Sequence, residues 1–496
     1  MLLYVFTIQM NKEVLPYLNS LYYLLTSISN SEVTNEDASM RVDLSKRLVD
    51  LMLVQNEVSE SLEEKCLKKL PKIFLALEKV LPKSKKNKLL LLELKKIYGD
   101  DAIDMYKKFL EISGKIQREL IQVNSLSSLE LSKTIFRIEV DYCQQLFQAI
   151  SDQNNITNLN SETSAARNTR TFKNEDMVNF IQDQFPKETE IVIKDTAFIV
   201  GGYSKYTVDI SLAKTKSLAK NIILRGDTDG EFGGMSVVDE YNLIKIVYNN
   251  GVCSPKPLAV EDNDTVFGSP FMLMEKMPGT CIGHMFNIPP IKSDPLVIDI
   301  AQKLSSIHLI SLKNFNKTID GASCLSSDKA ISWVSSSENS WLELDLPSPV
   351  FSTAFEWLKN NAKVYDNGPR SLVHGDYGIN NLLIEDNSVT GILDWEHAHI
   401  GNPSYDLGYF HPMADALASW SIFLDAYANT GIAMPDEDQI NYSVLLAATR
   451  VGVMVCQVRS AFLKNQETGI AASVGVAGDY YDTAVIRISK ALENIL

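Results

Sequence analysis

Six cysteines are scattered through 496 residues (Cys66, Cys143, Cys253, Cys281, Cys324 and Cys456), with no close pair among them. That spacing offers neither a disulfide framework nor a zinc site, so a reducing cytoplasm is the expected home. No run approaches the ~20 apolar residues that span a bilayer, and no membrane association is expected. Positive charge is in deficit: 47 Lys and Arg stand against 62 Asp and Glu, a formal net charge of −15. A nucleic-acid-binding surface would need clustered basic residues, so no nucleic-acid partner is expected. The opening Met1–Gln9 is apolar but has no basic leader and no small-residue cleavage site, which argues against a signal peptide. Met10 serves equally well as a start, with the first nine residues as an upstream extension. Internal repeats and extended low-complexity segments are lacking too.

What remains is ordinary globular composition, 45% apolar and 22% charged, over a length that suggests about three structural units. Residues 1–150 read as an all-α domain of unknown role. Apolar residues recur at helical spacing through Ile103, Tyr106, Phe109, Leu110, Ile112, Ile116 and Leu120, and likewise over 44–58 and 129–150. This region is the candidate face for a second copy of the chain or another partner. Residues 151–174, rich in Asn, Ser and Thr, read as a linker. From Met177 the pattern becomes helix, strand, glycine turn, strand, strand, helix and strand, a second unit over 175–278. Residues 279–496 are mainly helical and form a third.

The most informative segment is His374-Gly375-Asp376-Tyr377-Gly378-Ile379-Asn380-Asn381, followed by Ile392-Leu393-Asp394-Trp395-Glu396. Two apolar strands joined by a short turn would bring Asp376, Asn381 and Asp394 around one point. Asp376 can accept the proton of an attacking hydroxyl. Asn381 and Asp394 offer hard oxygen ligands to the magnesium that bridges a nucleotide's phosphates. This is the logic of a kinase catalytic loop and its metal aspartate, with Gly-Asp where protein kinases carry Arg-Asp. His374 reads as a brace for the loop, Asp406 as its anchor from the following helix, Trp395 as core, and Glu396 as either a site residue or a structural carboxylate.

With Ile400-Gly401-Asn402-Pro403 and Tyr405-Asp406-Leu407-Gly408 in order behind it, the pattern over roughly 174–496 resembles the aminoglycoside phosphotransferase and choline kinase-like superfamily. The resemblance implies an α+β, two-lobed protein-kinase-like fold after the all-α N-terminal domain. It implies ATP and Mg2+ as cofactors and a small-molecule hydroxyl as acceptor. In that frame Gly201, Gly202 and Ser204 cradle phosphates, Arg225 stands where many relatives carry a lysine, and Glu240 pairs with it from the next helix. The Glu275 and Met277 backbones would meet the adenine edge. Many relatives carry a second histidine two residues after the catalytic aspartate, where this chain has Gly378.

The Leu-Arg at 224–225, the Gly251–Leu258 turn and the Phe267–Glu275 stretch look most like a particular branch. That branch includes the phosphotransferase domain fused to certain acyl-CoA dehydrogenases and the hydroxyacyl-CoA kinases. It implies a hydroxy acid or hydroxyacyl-CoA as acceptor, with an aminoglycoside kinase as runner-up and a choline- or sugar-type kinase third. The non-enzyme alternative is a nucleotide-binding pseudokinase scaffold, which would have lost the base or a metal ligand.

Overall fold

The computed structural model describes residues 58, 61–97, 102–153, 173–199, 205–227, 234–263, 266, 268–283, 288, 291–315, 329–463 and 480–496. Gly201, Gly202 and Ser204, the expected helix over 44–58 apart from Val58, and most of the expected linker lie outside these residues. Contacts divide the chain into two units, 1–163 with 329–363 and 445–496, and 164–328 with 364–444.

The first unit, in its described residues, is helical. Its N-terminal part is α1 (Leu70–Val80), α2 (Lys85–Lys96), α3 (Ala102–Val123) and α4 (Leu126–Gln153). Pro71 opens α1, where a missing N–H costs nothing. The Ser84 hydroxyl caps α2 by accepting the Asn87 N–H at 3.0 Å. Each helix buries one stripe: Leu70, Ile73 and Leu77 from α1, Leu90 and Leu94 from α2, Phe109, Ile116 and Leu120 from α3, and Ile135 and Ile138 from α4. Full burial of an aliphatic side chain stabilises by roughly 1.5–3 kcal/mol, so this shared core is what holds four amphipathic helices together.

The second unit opens with α5 (Asn174–Gln184) and a five-stranded antiparallel sheet. Its strands are β1 (Val192–Ile199), β2 (Lys205–Ala213), β3 (Asn221–Asp227), β4 (Pro257–Glu261) and β5 (Phe271–Glu275), in the order β1-β2-β3-β5-β4. Helix α6 (Val237–Asn249) crosses between β3 and β4, capped by Ser236. On β2 the alternation buries Tyr206, Val208, Ile210 and Leu212 in the same core as Ile222, Leu224, Phe271 and Leu273. The edge strand β1 is mostly exposed, whereas its sequence alternation predicts a half-buried strand.

Helix α7 (Asp294–His308) follows, and α8 (Ala330–Glu343) belongs to the first unit. Helix α9 (Pro349–Asp366) begins in the first unit and ends in the second. Then come β6 (Ser371–Val373), the hairpin β7 (Leu382–Glu385) and β8 (Ser388–Ile392), and β9 (His399–Gly401), which pairs with β6. Asp386 and Asn387 turn the hairpin with φ of 49° and 60°, the left-handed pair that a two-residue turn demands. Helices α10 (Ser404–Leu417), α11 (Trp420–Ala428), α12 (Glu437–Leu463) and α13 (Tyr480–Ile495) complete the chain. By length and composition alone the 437–460 stretch of α12 could cross a membrane, yet most of it is buried within the protein, as in a core helix.

Candidate active site

The candidate catalytic loop runs from the end of β6 to the start of β7, and one carboxylate ties it down. Asp406, fully buried on the first turn of α10, accepts the His374 N–H at 2.7 Å and the Gly375 N–H at 2.9 Å. Its Oδ2 also meets His308 Nε2 at 3.0 Å, and His308 Nδ1 lies 2.6 Å from the Tyr427 hydroxyl. Burial alone would raise this carboxyl. The His308 hydrogen bond and the backbone donors outweigh it and hold Asp406 below its ordinary range. Gly375 needs its identity: φ is +82°, and a Cβ would come within 2.2 Å of the His397 carbonyl oxygen.

His374 is a neutral brace. Its Nδ1 accepts the Asp376 N–H at 3.3 Å, so the proton sits on Nε2, which donates to the Leu393 carbonyl at 3.0 Å. Burial pulls its pKa down. The ring therefore links the loop to the end of β8, one residue before Asp394.

Asp376 is half-buried, with both carboxylate oxygens engaged. The Asn381 amide donates to Oδ2 at 2.6 Å and to the Asp376 main-chain oxygen at 2.9 Å, and the Tyr409 hydroxyl donates to Oδ1. These donors fix the carboxylate's orientation. With both amide hydrogens spent on Asp376, the oxygen of Asn381 is the end left to ligate a cation.

Asp394 sits at φ +65°, a left-handed conformation uncommon for a residue with a side chain. Its Oδ1 accepts from Arg225 Nη2, while Arg225 Nε donates to Glu240 Oε2 at 3.1 Å. The other Glu240 oxygen accepts the Trp395 N–H at 3.1 Å, so α6, β3 and the Asp394 segment close into one ring. Burial opposes the Arg225 charge, yet Asp394, Glu240 and Glu396 together hold the guanidinium above its ordinary value. Burial pushes Glu240 up, against the pull of Arg225.

Glu396 Oε2 lies 3.8 Å from both Arg225 Nη2 and Lys205 Nζ. Lys205, buried at the start of β2, meets Asp227 at 2.5 Å because the antiparallel register sets those two residues opposite each other. Its ammonium also donates to the Met235 carbonyl at 2.8 Å.

Glu275 stands at the end of β5. Its N–H donates to the Lys256 carbonyl at 3.0 Å and its carboxylate pairs with Lys256 at 2.9 Å, so the Glu275 N–H is spent within the sheet. Met277 lies beside Gly391 of β8. Among the described residues no group of three or more His, Cys, Asp or Glu side chains gathers to hold a metal. One carboxylate and one amide oxygen, Asp394 and Asn381, is a donor set that suits a Mg2+ completed by water and phosphate oxygens.

Residues 234–440, which contain Glu240, the catalytic loop, Asp394 and Asp406, match a family described as the phosphotransferase enzyme family. The match spans about two fifths of the chain and is a similarity to that family. Acyl-CoA dehydrogenase family member 11 of Pongo abelii is 25% identical over 175 residues, 34% of this chain and 22% of the relative. Member 10 of Mus musculus is 25% identical over 223 residues, 42% of this chain and 19% of the relative. The chain thus spans about a fifth of the length of these curated relatives. Among solved structures, a Ralstonia eutropha protein assigned as an aminoglycoside phosphotransferase is 16% identical, with a TM-score of 0.49. That alignment covers 65% of this chain and 99% of the other. A GDP complex of aminoglycoside 2'-phosphotransferase-IIIa is 15% identical, with a TM-score of 0.44 over 65% and 100% of the two chains.

Several residues of the candidate site escape a reading of the sequence. His308 carries no motif of its own, and the structure gives it the Asp406 contact from 98 residues away. Tyr409, Lys205 and Asp227 carry no motif of their own. The signal that could have found Lys205 is its place at the start of the strand after the glycine turn.

Proposed function

We propose that this chain is an ATP- and Mg2+-dependent phosphotransferase with a two-lobed kinase-like fold that moves the γ-phosphoryl group to a hydroxyl of a small molecule. The observation that carries this reading is Asp376, oriented by Asn381 and Tyr409 and joined through His374 and Leu393 to the segment of Asp394 and Arg225. Asp376 orients the acceptor hydroxyl and takes its proton, a step of general base catalysis that contributes about 10²–10⁴-fold. Asn381 and Asp394 would hold Mg2+, whose charge, when bound, neutralises that developing on the phosphates. Arg225 supplies a planar, permanently charged fork for phosphate oxygens, with Glu240 fixing its direction.

The acceptor class we favour is a hydroxy acid or hydroxyacyl-CoA. Support comes from the similarity to the acyl-CoA dehydrogenase family members over the matched segment. The five described cysteines are free, in keeping with a cytoplasmic site of action.

The test is Mg2+-dependent ATP consumption by the full chain against hydroxyacyl-CoAs, hydroxy acids, aminoglycosides and choline, with Asp376→Asn as control. Turnover on the first two classes, abolished in the variant, is the expected result. Turnover confined to aminoglycosides or choline would transfer the assignment to those kinases. Nucleotide binding with no turnover on any acceptor would favour a scaffold.

A further inference from the structure

The net charge of −15 conceals a local reversal. Residues 61–97 hold eleven lysines and four glutamates, a formal charge of +7, so the rest of the chain carries −22. All eleven lysines are exposed. A few are occupied: Lys69 with Asp141, Lys86 with Glu119, Lys68 with Glu64, and Lys95 over the Phe74 ring. Lys72, Lys79, Lys83, Lys85, Lys88 and Lys96 form no ion pair among the described residues.

The arrangement is as specific as the charge. Lys72, Leu75 and Lys79 lie on the side of α1 opposite the buried Leu70, Ile73 and Leu77, and Lys68, four residues before Lys72, extends the row from the preceding turn at spacings of 4, 3 and 4. Lys85, Leu89, Leu92 and Lys96 repeat the same spacing on α2, opposite the buried Leu90 and Leu94. Leu75, Leu89 and Leu92 are 60%, 52% and 54% exposed. Each helix therefore presents leucine flanked at both ends by lysine, and nothing in the hydrophobic core calls for those leucines.

We propose that the exposed faces of α1 and α2 bind an anionic lipid surface, with the lysines against headgroup phosphates and the leucines entering the acyl boundary. The chemistry separates this from nucleic acid. Residues 61–97 contain no arginine, and their one aromatic, Phe74, is half-buried under Lys95, so neither a bidentate base contact nor a stacking platform exists. Exposed leucine serves no purpose on a phosphate backbone, whereas beside lysine it is the composition of an interfacial helix. Lysine's flexible point charge suits fluid headgroups, and its long stem reaches them while the leucine sits deeper. The negative remainder of the chain is repelled by such a surface, which orients the molecule on it.

Co-sedimentation of the full chain with vesicles tests this, using phosphatidylcholine alone and phosphatidylcholine with about 30% phosphatidylserine at near-physiological salt. Binding to the anionic vesicles alone, weakened by added salt, is expected. Each lysine removed should weaken it about fivefold, so Lys72→Gln/Lys79→Gln/Lys88→Gln should lose about 100-fold. A separate Leu75→Asn/Leu89→Asn/Leu92→Asn variant should lose binding too, with an unchanged helical circular dichroism spectrum because these side chains are already in solvent. Equal behaviour on both vesicle types, or no effect of the lysine variant, would overturn the proposal. So would displacement by tRNA combined with an unaffected leucine variant, which would reassign the face to nucleic acid.

Discussion

Two carboxylates, one in each unit, are equally buried and receive the same number of hydrogen bonds, yet they are perturbed in opposite directions. Asp406 takes two backbone N–H groups and His308. Glu139 takes the Ser348 hydroxyl at 2.9 Å, the Val350 N–H at 2.9 Å and the Tyr481 hydroxyl at 2.8 Å. Asp406 lies below its ordinary range, while Glu139 is pushed up to about 7 by burial, with Asp482 nearby adding to the rise. Burial raises both, so the difference lies in the donors. On Asp406 the His308 and backbone donors together exceed the cost of burial, whereas on Glu139 the three donors do not. In the second unit Asp406 has an imidazole and two backbone N–H groups against it, while in the helical unit Glu139 has two hydroxyls and one backbone N–H.

Removing a cation should break the contrast most sharply. Arg225→Met strands Glu240 and Asp394, and losing one partner of a buried pair typically costs about 3–5 kcal/mol. Glu240, already pushed up by burial, would lose the pull of Arg225 and hold its proton still more tightly in the folded state. The stability lost by the second unit should then grow as pH rises. Hydrogen exchange of peptides from β3 and α6, followed from pH 5 to 8, reads this. A loss of protection that does not change with pH would show that the guanidinium does not act on the Glu240 proton.

Asp406→Asn comes next, at roughly 3 kcal/mol, because the amide replaces an acceptor with a donor facing an N–H. Turnover should be lost with it, since His374 and Gly375 lose their anchor. Urea denaturation and the acceptor panel together check this.

In the helical unit the effect is one of pH. Glu139 has an unfolded value near 4.5 and a folded one of about 7. Between those values the native state binds the proton more tightly. Stability is therefore greatest below about pH 4.5, falls as pH rises, and levels off above about 7, a change on the order of 3 kcal/mol. Asp482, raised to about 6 by burial, acts in the same direction over its own window. Glu139→Gln should flatten most of that slope. Exchange protection in α4 against pH would expose the opposite result, a slope that survives the substitution.

How much of this was legible beforehand follows sequence distance. The Asp376–Asn381 contact spans five residues and the hairpin to Asp394 a few more, so pattern alone reaches them. The Arg225–Glu240 pair spans fifteen and follows from a strand running into a helix. His308 to Asp406 spans 98 residues, and Glu139 to Ser348 spans 209. Nothing local marks such partners, because only the packing of separate elements chooses them. Lys205 and Asp227 depend on sheet register, which a one-residue slip would destroy. Strand β4, only five residues long, does not stand out in the pattern, while helix α6 does. Net charge misled in another way: a sum over the whole chain hides a +7 segment inside a −15 protein.

The smallest expected effect concerns Asp376, which is half-exposed and receives hydrogen bonds from Asn381 and Tyr409. Tyr409→Phe keeps the ring against Tyr405 and removes one donor. A single neutral hydrogen bond is worth about 1 kcal/mol, so overall stability should change by no more than that. Turnover should fall about tenfold, because a carboxylate held at one oxygen samples orientations that do not face the acceptor hydroxyl. Nucleotide affinity should stay put, since Tyr409 bonds Asp376 and not the Arg225–Asp394 side of the site. A kcat loss with unchanged ATP affinity supports an orienting tyrosine, whereas equal losses in both would mean that the substitution disturbs the hairpin between Asn381 and Asp394.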